Sequence, residues 1–187
     1  MCGRYFFAEN IDTSRYLKIL EEKYDQQVLD LWQKGEICPG QIALVELDQD
    51  CDLMKWNYQL FDHVLINTRL ESLRDKDYYR DDFQHHRCVI VASGFYEWKD
   101  GQRHYITAAQ PMIYLAGIYQ KTDGLSCFSI ITREATSTRS IHHRVPIVLD
   151  HQQAEAYLRN QLSLSQLQQV EPVLEIRKEY ENLSLFD

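Results

Sequence analysis

The sequence predicts an α+β fold dominated by strands, and three features of its patterning carry that expectation. A long amphipathic run lies near the N-terminus, many short β-branched or aromatic runs fill the middle, and two helical patterns lie near the C-terminus. The strands are expected to build a curved, barrel-like antiparallel sheet flanked by helices. With 187 residues and no repeat, low-complexity tract or Pro/Gly/Ser linker, the chain reads as a single domain over 1–187. Its 44% apolar and 26% charged residues are a globular composition, able to supply a core.

The elements follow in order. A short strand is expected over 3–7. Asp12, Thr13 and Ser14 offer N-caps for a helix to about Trp32, because Tyr16, Leu17, Leu20, Tyr24, Val28, Leu31 and Trp32 recur at helical spacing. Strands are then expected over 42–47, 53–56, 88–92, 95–99, 104–107, 113–119, 127–132 and 147–149. The turns Asp48-Gln49-Asp50, Lys99-Asp100-Gly101 and Thr122-Asp123-Gly124 divide them, and Asp-Gly between two such runs predicts a hairpin. Asp150 caps a closing helix to about Asn160, and 162–170 is helical too.

Composition narrows the function. No stretch approaches the ~20 apolar residues of a membrane span. The opening Met1-Cys2-Gly3-Arg4-Tyr5 lacks the layout of a signal peptide, so cytoplasm is the expected compartment. Five cysteines without a C-x-x-C pair argue against both a disulfide framework and a zinc ribbon, and Cys88 and Cys127 read as core thiols. The net charge of −8 disfavours broad, nonspecific nucleic-acid binding; a DNA-binding role needs its cations gathered in one place. Of the 12 tyrosines, most belong in the core and some are candidates for a half-exposed binding surface.

Several residues have chemistry to offer. Once Met1 is removed, Cys2 presents an α-amine and a thiol on adjacent carbons. With ordinary pKa values near 8 and 8.5, both reactive forms are accessible at neutral pH. An aldehyde condenses with such an amine to an imine, and the thiol then closes a five-membered thiazolidine. If Met1 stays, that nitrogen is an amide and the ring cannot form. Arg4 places a cation beside the nucleophile. Asn67-Thr68-Arg69 ends an apolar run, and Asn67, Arg69 and Glu71 share a face if the strand continues. Glu97, set among aromatics in Gly94-Phe95-Tyr96-Glu97-Trp98, is either a desolvated general acid or a solvent-facing edge residue. His142 or His143 is a candidate proton shuttle. Metal binding through these histidines, or through His85, His86 and Cys88, is discounted: adjacent histidines in a strand face opposite ways, and no H-x-x-x-H spacing is present.

Taken together and in order, these segments resemble the SRAP family (SOS response-associated peptidase), whose members process abasic sites. The resemblance rests on Met1-Cys2-Gly3-Arg4-Tyr5, Pro39-Gly40, Trp56, Asn67-Thr68-Arg69-Leu70-Glu71, Arg87-Cys88, Gly94-Phe95-Tyr96-Glu97-Trp98-Lys99 and Ile141-His142-His143-Arg144-Val145-Pro146, and extends from residue 1 to about 150. It implies that Cys2 captures the ring-opened abasic sugar of single-stranded DNA as a thiazolidine, with lyase and crosslink-reversal activity drawing on the same residues. It further implies that Asn67 holds the sugar, Glu97 assists ring opening and dehydration, His142 moves protons, and Arg4 and Arg69 bind flanking phosphates. No cofactor and no metal are implied.

The chain also departs from the family pattern. Trp56-Asn57-Tyr58-Gln59-Leu60-Phe61-Asp62 is shorter than the usual Trp-Gly-Leu-x-Pro-x-Trp-like stretch, Glu36 stands where Asn is usual, and the segment from Arg177 to Asp187 is short and acidic. These departures point to a reduced or specialised member. Two other functions compete: a Cys2–His142 peptidase or amidohydrolase, and a nonenzymatic DNA-binding module that kept the fold.

Overall fold

In the computed structural model, which describes residues 2–179, the β-branched and aromatic runs pair into curved sheets that share one core. In chain order the elements are β1 (Arg4–Phe7), α1 (Ser14–Lys23), α2 (Gln26–Leu29), β2 (Gly35–Ile37), β3 (Ile42–Leu47), β4 (Asp50–Lys55), β5 (Tyr58–Leu60), β6 (His63–Leu65), β7 (Asn67–Arg69) and α3 (Leu70–Asp75). They continue with α4 (Arg80–His85), β8 (Arg87–Ala92), β9 (Gly94–Lys99), β10 (Gln102–Ala108), β11 (Ile113–Gln120), β12 (Cys127–Glu134), β13 (Arg144–Pro146), β14 (Val148–Leu149), α5 (His151–Leu158), α6 (Leu164–Gln168) and β15 (Leu174–Lys178).

One sheet has the order β15-β10-β9-β1-β2; the larger runs β13-β12-β4-β3-β8-β11-β14. The larger sheet curls back on itself. β12 pairs along β11 and meets β4 only at the register Cys127↔Lys55, so the sheet is ring-like without being fully closed. The α+β class holds. Among the described strands pairing is antiparallel except along β12, where β4 and β7 run parallel to it, and an isolated bridge between Trp32 and Ile42 is parallel too.

Local chemistry accounts for the elements. Asp100 and Gly101 both take left-handed backbone (φ 51° and 77°) between the paired Lys99 and Gln102, as a two-residue hairpin of right-handed twist requires. Asp150 caps α5 in a reciprocal capping box with Gln153, and Ser163 caps α6 with Gln166.

The single helix expected over 12–32 is instead two. α1 ends at Tyr24, whose backbone is extended, and Asp25 restarts the chain by accepting the Val28 N–H as the N-cap of α2. The apolar spacing runs through the break unaltered, which is why periodicity alone conceals it. The strand through Asn67 does not continue to Glu71 either. It ends at Arg69, and Glu71 lies in the first turn of α3.

Trp56 ties the two sheets together and sets the approach to β7. Its fully buried ring packs 5.3 Å from Tyr5 of β1 and stacks 6.1 Å from Phe128 of β12. Its indole N–H donates to the Ile66 carbonyl at 2.7 Å, one residue before Asn67. The Pro39-Gly40 turn docks on the same residue, with the Gly40 N–H donating to the Trp56 carbonyl at 2.9 Å.

Candidate functional site

The two sheets meet where the chain begins. The Asn67 side-chain amide donates to the Cys2 carbonyl at 2.7 Å, and this bond joins β7 of the larger sheet to the residue entering β1 of the smaller. Cys2 is fully buried, and its thiol contacts the Arg4 carbonyl at 3.7 Å. Burial pushes the thiol pKa well above its ordinary value, and the nearby Glu97 carboxylate pushes it further. Both effects favour the protonated thiol, so a base beside the sulfur would aid its reaction. The other Asn67 atom, Oδ1, is buried and accepts no hydrogen bond from any described residue. An amide pinned through its nitrogen thus turns an unsatisfied acceptor into the site, where a hydroxyl could meet it.

Glu97 resolves the choice between buried acid and edge carboxylate. β9 is an inner strand between β1 and β10, and Glu97 is only 4% exposed, on the same face as the buried Phe95; Trp98 is the residue that points outward, 39% exposed. Desolvation raises the Glu97 pKa above its ordinary 4.5, keeping the acid form available at higher pH than usual.

The His142-His143-Arg144 segment is placed by β12. Thr132 lies in register with Arg69 of β7 on one side and Pro146 of β13 on the other, so the segment before β13 borders the end of β7. The two histidines sit in a turn rather than a strand, so the facing argument does not apply to them; their ring centroids lie 4.3 Å apart. His142 is half-buried and His143 exposed. His142 Nδ1 lies 3.0 Å from the Arg144 N–H and 3.1 Å from the Arg144 carbonyl, so it accepts from the one or donates to the other according to the ring's tautomer. Desolvation lowers the His142 pKa, and the Arg144 charge adds to that, so the neutral ring is favoured.

The arginines differ sharply. Arg69 is exposed, and its side chain makes no hydrogen bond or ion pair with a described residue. Arg4 is paired with Glu36. Arg144, 7% exposed, forks onto both Glu71 oxygens at 3.1 and 3.0 Å and donates to the Thr132 carbonyl at 2.7 Å. That ion pair joins two of the segments singled out in the sequence, Asn67–Glu71 and Ile141–Pro146. The sequence placed both halves without revealing that they touch. It also missed Arg103, which pairs with Glu36 from β10; an arginine in an unremarkable run carries no signal until the strand register is known.

Other features lie elsewhere. His85 and His86 end α4 rather than facing opposite ways in a strand. Asp81, Asp82 and His86 bring ligand-type atoms within 4.8 Å of one another. His86 Nδ1 already meets Asp82 Oδ1 at 2.6 Å, and Tyr58 donates to the other Asp82 oxygen. A cavity of about 240 Å³ between α1, the β3–β4 turn and α5, lined by Arg15, Glu46 and His151, is separate from Cys2. No helix among the described residues is long and apolar enough to cross a membrane.

Cys2, Asn67 and Glu97 thus come together where the two curved sheets meet, and the segment of His142 borders the end of β7. The chain belongs to the SRAP family, described as SOS response associated peptidase, which it matches over residues 1–184. It is 29% identical to the abasic site processing protein YedK of Escherichia coli (strain K12), over 87% of this chain and 82% of that one. It is 28% identical to the abasic site processing protein YoaM of Bacillus subtilis (strain 168), over 84% and 79%. In fold it is similar to a crystal structure of a protein from Bacteroides thetaiotaomicron, with a TM-score of 0.74 and 16% identity over 96% of this chain and 93% of that one. A phage-related protein from Bordetella bronchiseptica follows, with a TM-score of 0.72 and 21% identity over 95% and 94%.

Proposed function

We propose that this protein captures abasic sites in single-stranded DNA through a covalent thiazolidine at Cys2, and that one domain spanning the chain does so in the cytoplasm. The observation that carries the reading is the clamp on Cys2: its carbonyl is held by Asn67 while its thiol lies beside the buried acid Glu97. The names of the relatives supply the substrate class, an abasic site.

The chemistry balances with this chain's own residues. After Met1 is removed, the Cys2 amine attacks the aldehyde carbon of the ring-opened sugar and gives a carbinolamine. Protonated Glu97 donates to its hydroxyl, which leaves as water, and an iminium remains. The Glu97 carboxylate then accepts the thiol proton as sulfur bonds to the iminium carbon. The product is a ring of that carbon, the amine nitrogen, Cα, Cβ and Sγ, with Glu97 protonated as at the start. Glu97 thus supplies the base that a buried thiol lacks. The Asn67 acceptor meets a sugar hydroxyl, neutral His142 moves protons during ring opening and reversal, and Arg4 and Arg69 hold flanking phosphates. The same iminium, before sulfur adds, permits β-elimination of the strand, so lyase activity and reversal compete with ring closure.

The test is a denaturing gel after incubation with single-stranded DNA carrying one abasic site. A heat-tolerant shifted band is expected, absent for Cys2→Ala and blocked by methoxyamine. Peptide cleavage without the band would identify a Cys2–His142 hydrolase instead, and a shift seen only on a native gel would leave a binding module.

A further inference from the structure

We propose that Arg4 and Arg103 form a two-arginine site for a nucleic-acid phosphate on the outer face of the smaller sheet, and that Glu36 is its built-in occupant, displaced when a strand binds. The inference deepens the proposed function, because it rests on a DNA strand being the ligand.

Strand register places the three side chains. Arg4 pairs with Tyr96, Phe6 with Glu36, and Arg103 with Trp98, so Glu36, Arg4, Tyr96, Trp98 and Arg103 alternate onto one face across β2, β1, β9 and β10. The two guanidinium groups come from different strands and converge on one carboxylate. Arg4 donates to Glu36 Oε1, and Arg103 donates to Oε2 at 2.6 Å. Each guanidinium is also braced by an aromatic ring: Arg103 lies 3.7 Å from the Tyr96 centroid, and Arg4 lies 5.6 Å from that of Trp98.

Two guanidinium groups, each donating one charge-assisted hydrogen bond to a different oxygen of one anion, form an arrangement that also suits the two free oxygens of a phosphate diester. Beside it stands Trp98, 39% exposed, so the face combines cations with an open aromatic ring, as surfaces that bind single strands do. None of the three ion-pair partners is deeply buried, with side chains 44% (Arg4), 27% (Arg103) and 29% (Glu36) exposed, so the carboxylate can swing away. Arg103 would keep a partner in Glu179, 3.1 Å from its Nε. Glu36 thus cancels one of the two guanidinium charges until a diester phosphate, equally a singly charged anion, takes its place, which lowers affinity for undamaged DNA and leaves retention to the covalent step.

The experiment measures binding of the full chain to intact oligothymidylate by fluorescence anisotropy across a salt series, with melting temperatures alongside. Oligothymidylate has no aldehyde, so this arm does not sense Cys2 chemistry. Glu36→Gln is expected to tighten binding roughly three- to tenfold at low salt and to steepen the salt slope by about 0.7, the value of one more phosphate neutralised on a single strand. Adding Arg103→Gln to it should remove most of that gain. Unchanged or weaker binding by a Glu36→Gln protein that melts normally would overturn the proposal. Should that variant melt early, Arg103→Gln alone decides, since it leaves the Arg4–Glu36 pair in place: reduced affinity is expected, and unchanged affinity would refute the two-arginine site. Abasic-site crosslinking without the Glu36→Gln gain overturns this inference and leaves the covalent reading standing; the gain without crosslinking removes only the covalent reading.

Discussion

Cys2 and Glu97 are interdependent. A buried thiol beside a carboxylate is a poor nucleophile, and a buried carboxylate is a poor anion, yet a proton passed between them serves both. This coupling gives a pH signature. The Cys2 amine must be unprotonated to attack, so the rate climbs with pH towards the ordinary amine pKa of about 8. Glu97 must be protonated to expel water, so the rate falls as pH passes its raised pKa. A bell-shaped crosslinking profile is expected, and Glu97→Gln should be slower, by roughly 10²-fold, and should lose the descending limb. An identical bell in the variant would remove Glu97 from the proton path. Stability follows the same group. Because its folded pKa lies above the unfolded value, Glu97 contributes nothing adverse below about 4.5, where both states are protonated. As pH rises from there through the folded pKa the fold loses stability, so Glu97→Gln should gain in melting temperature relative to wild type across that window and keep a constant lead above it.

At the scale of elements, Gly94 and Arg87 show how much of this molecule could be read from its sequence. Both stood in the segments that marked the family resemblance, but neither had a stated role. The structure supplies one for each. A Cβ on Gly94 would run into the ring of Tyr105, which lies flat over it from β10. Gly94→Ala is therefore expected to cost about 1–3 kcal/mol by overpacking, read as a lower denaturation midpoint. Arg87, 8% exposed, donates to the carbonyls of Phe83, Tyr157 and Leu162 and lies between the Phe83 and Tyr157 rings, so one guanidinium binds α4 and the α5 end to β8. Arg87→Ala should destabilise by roughly 3 kcal/mol, while Arg87→Lys, unable to fork, should recover only part of that. Most strands and the α5 cap were legible because alternation, Asp-Gly and Asp-x-x-Gln are local signals. β2, β5 and β6 were not, being three residues each, too short for a period to show. β15 alternates over only Leu174-Glu175-Ile176-Arg177, too few apolar positions to set a period, and α3 and α4 were hidden by charged sequence whose stability comes from packing. At the site, Cys2 and Glu97 were legible from their surroundings. The Arg144–Glu71 and Arg103–Glu36 pairs were not, because each depends on a long-range register.

Across the whole molecule, the charge balance is at odds with the proposed DNA ligand, and a capture that ends in a covalent bond would reconcile the two. Acidic residues outnumber Lys and Arg by 28 to 20, and several arginines around the site are already paired: Arg4 and Arg103 with Glu36, Arg144 with Glu71. Arg69 is the exposed exception. Few phosphates can be neutralised on first encounter, about two by this count, one at Arg69 and one at the Arg4–Arg103 site, which for a single strand corresponds to a slope of log K against log salt near −1.4. A fourfold rise in salt, from 50 to 200 mM, should then slow capture by roughly an order of magnitude. The final yield of crosslink should not change, because a thiazolidine is held by covalent bonds and not by counterion release. Following band intensity against time at both salts separates the two quantities. Equal rates at the two salts would show that no phosphate contact precedes the chemistry. A yield that falls along with the rate would show that retention, like encounter, is electrostatic, and that the bond at residue 2 is not what keeps the strand.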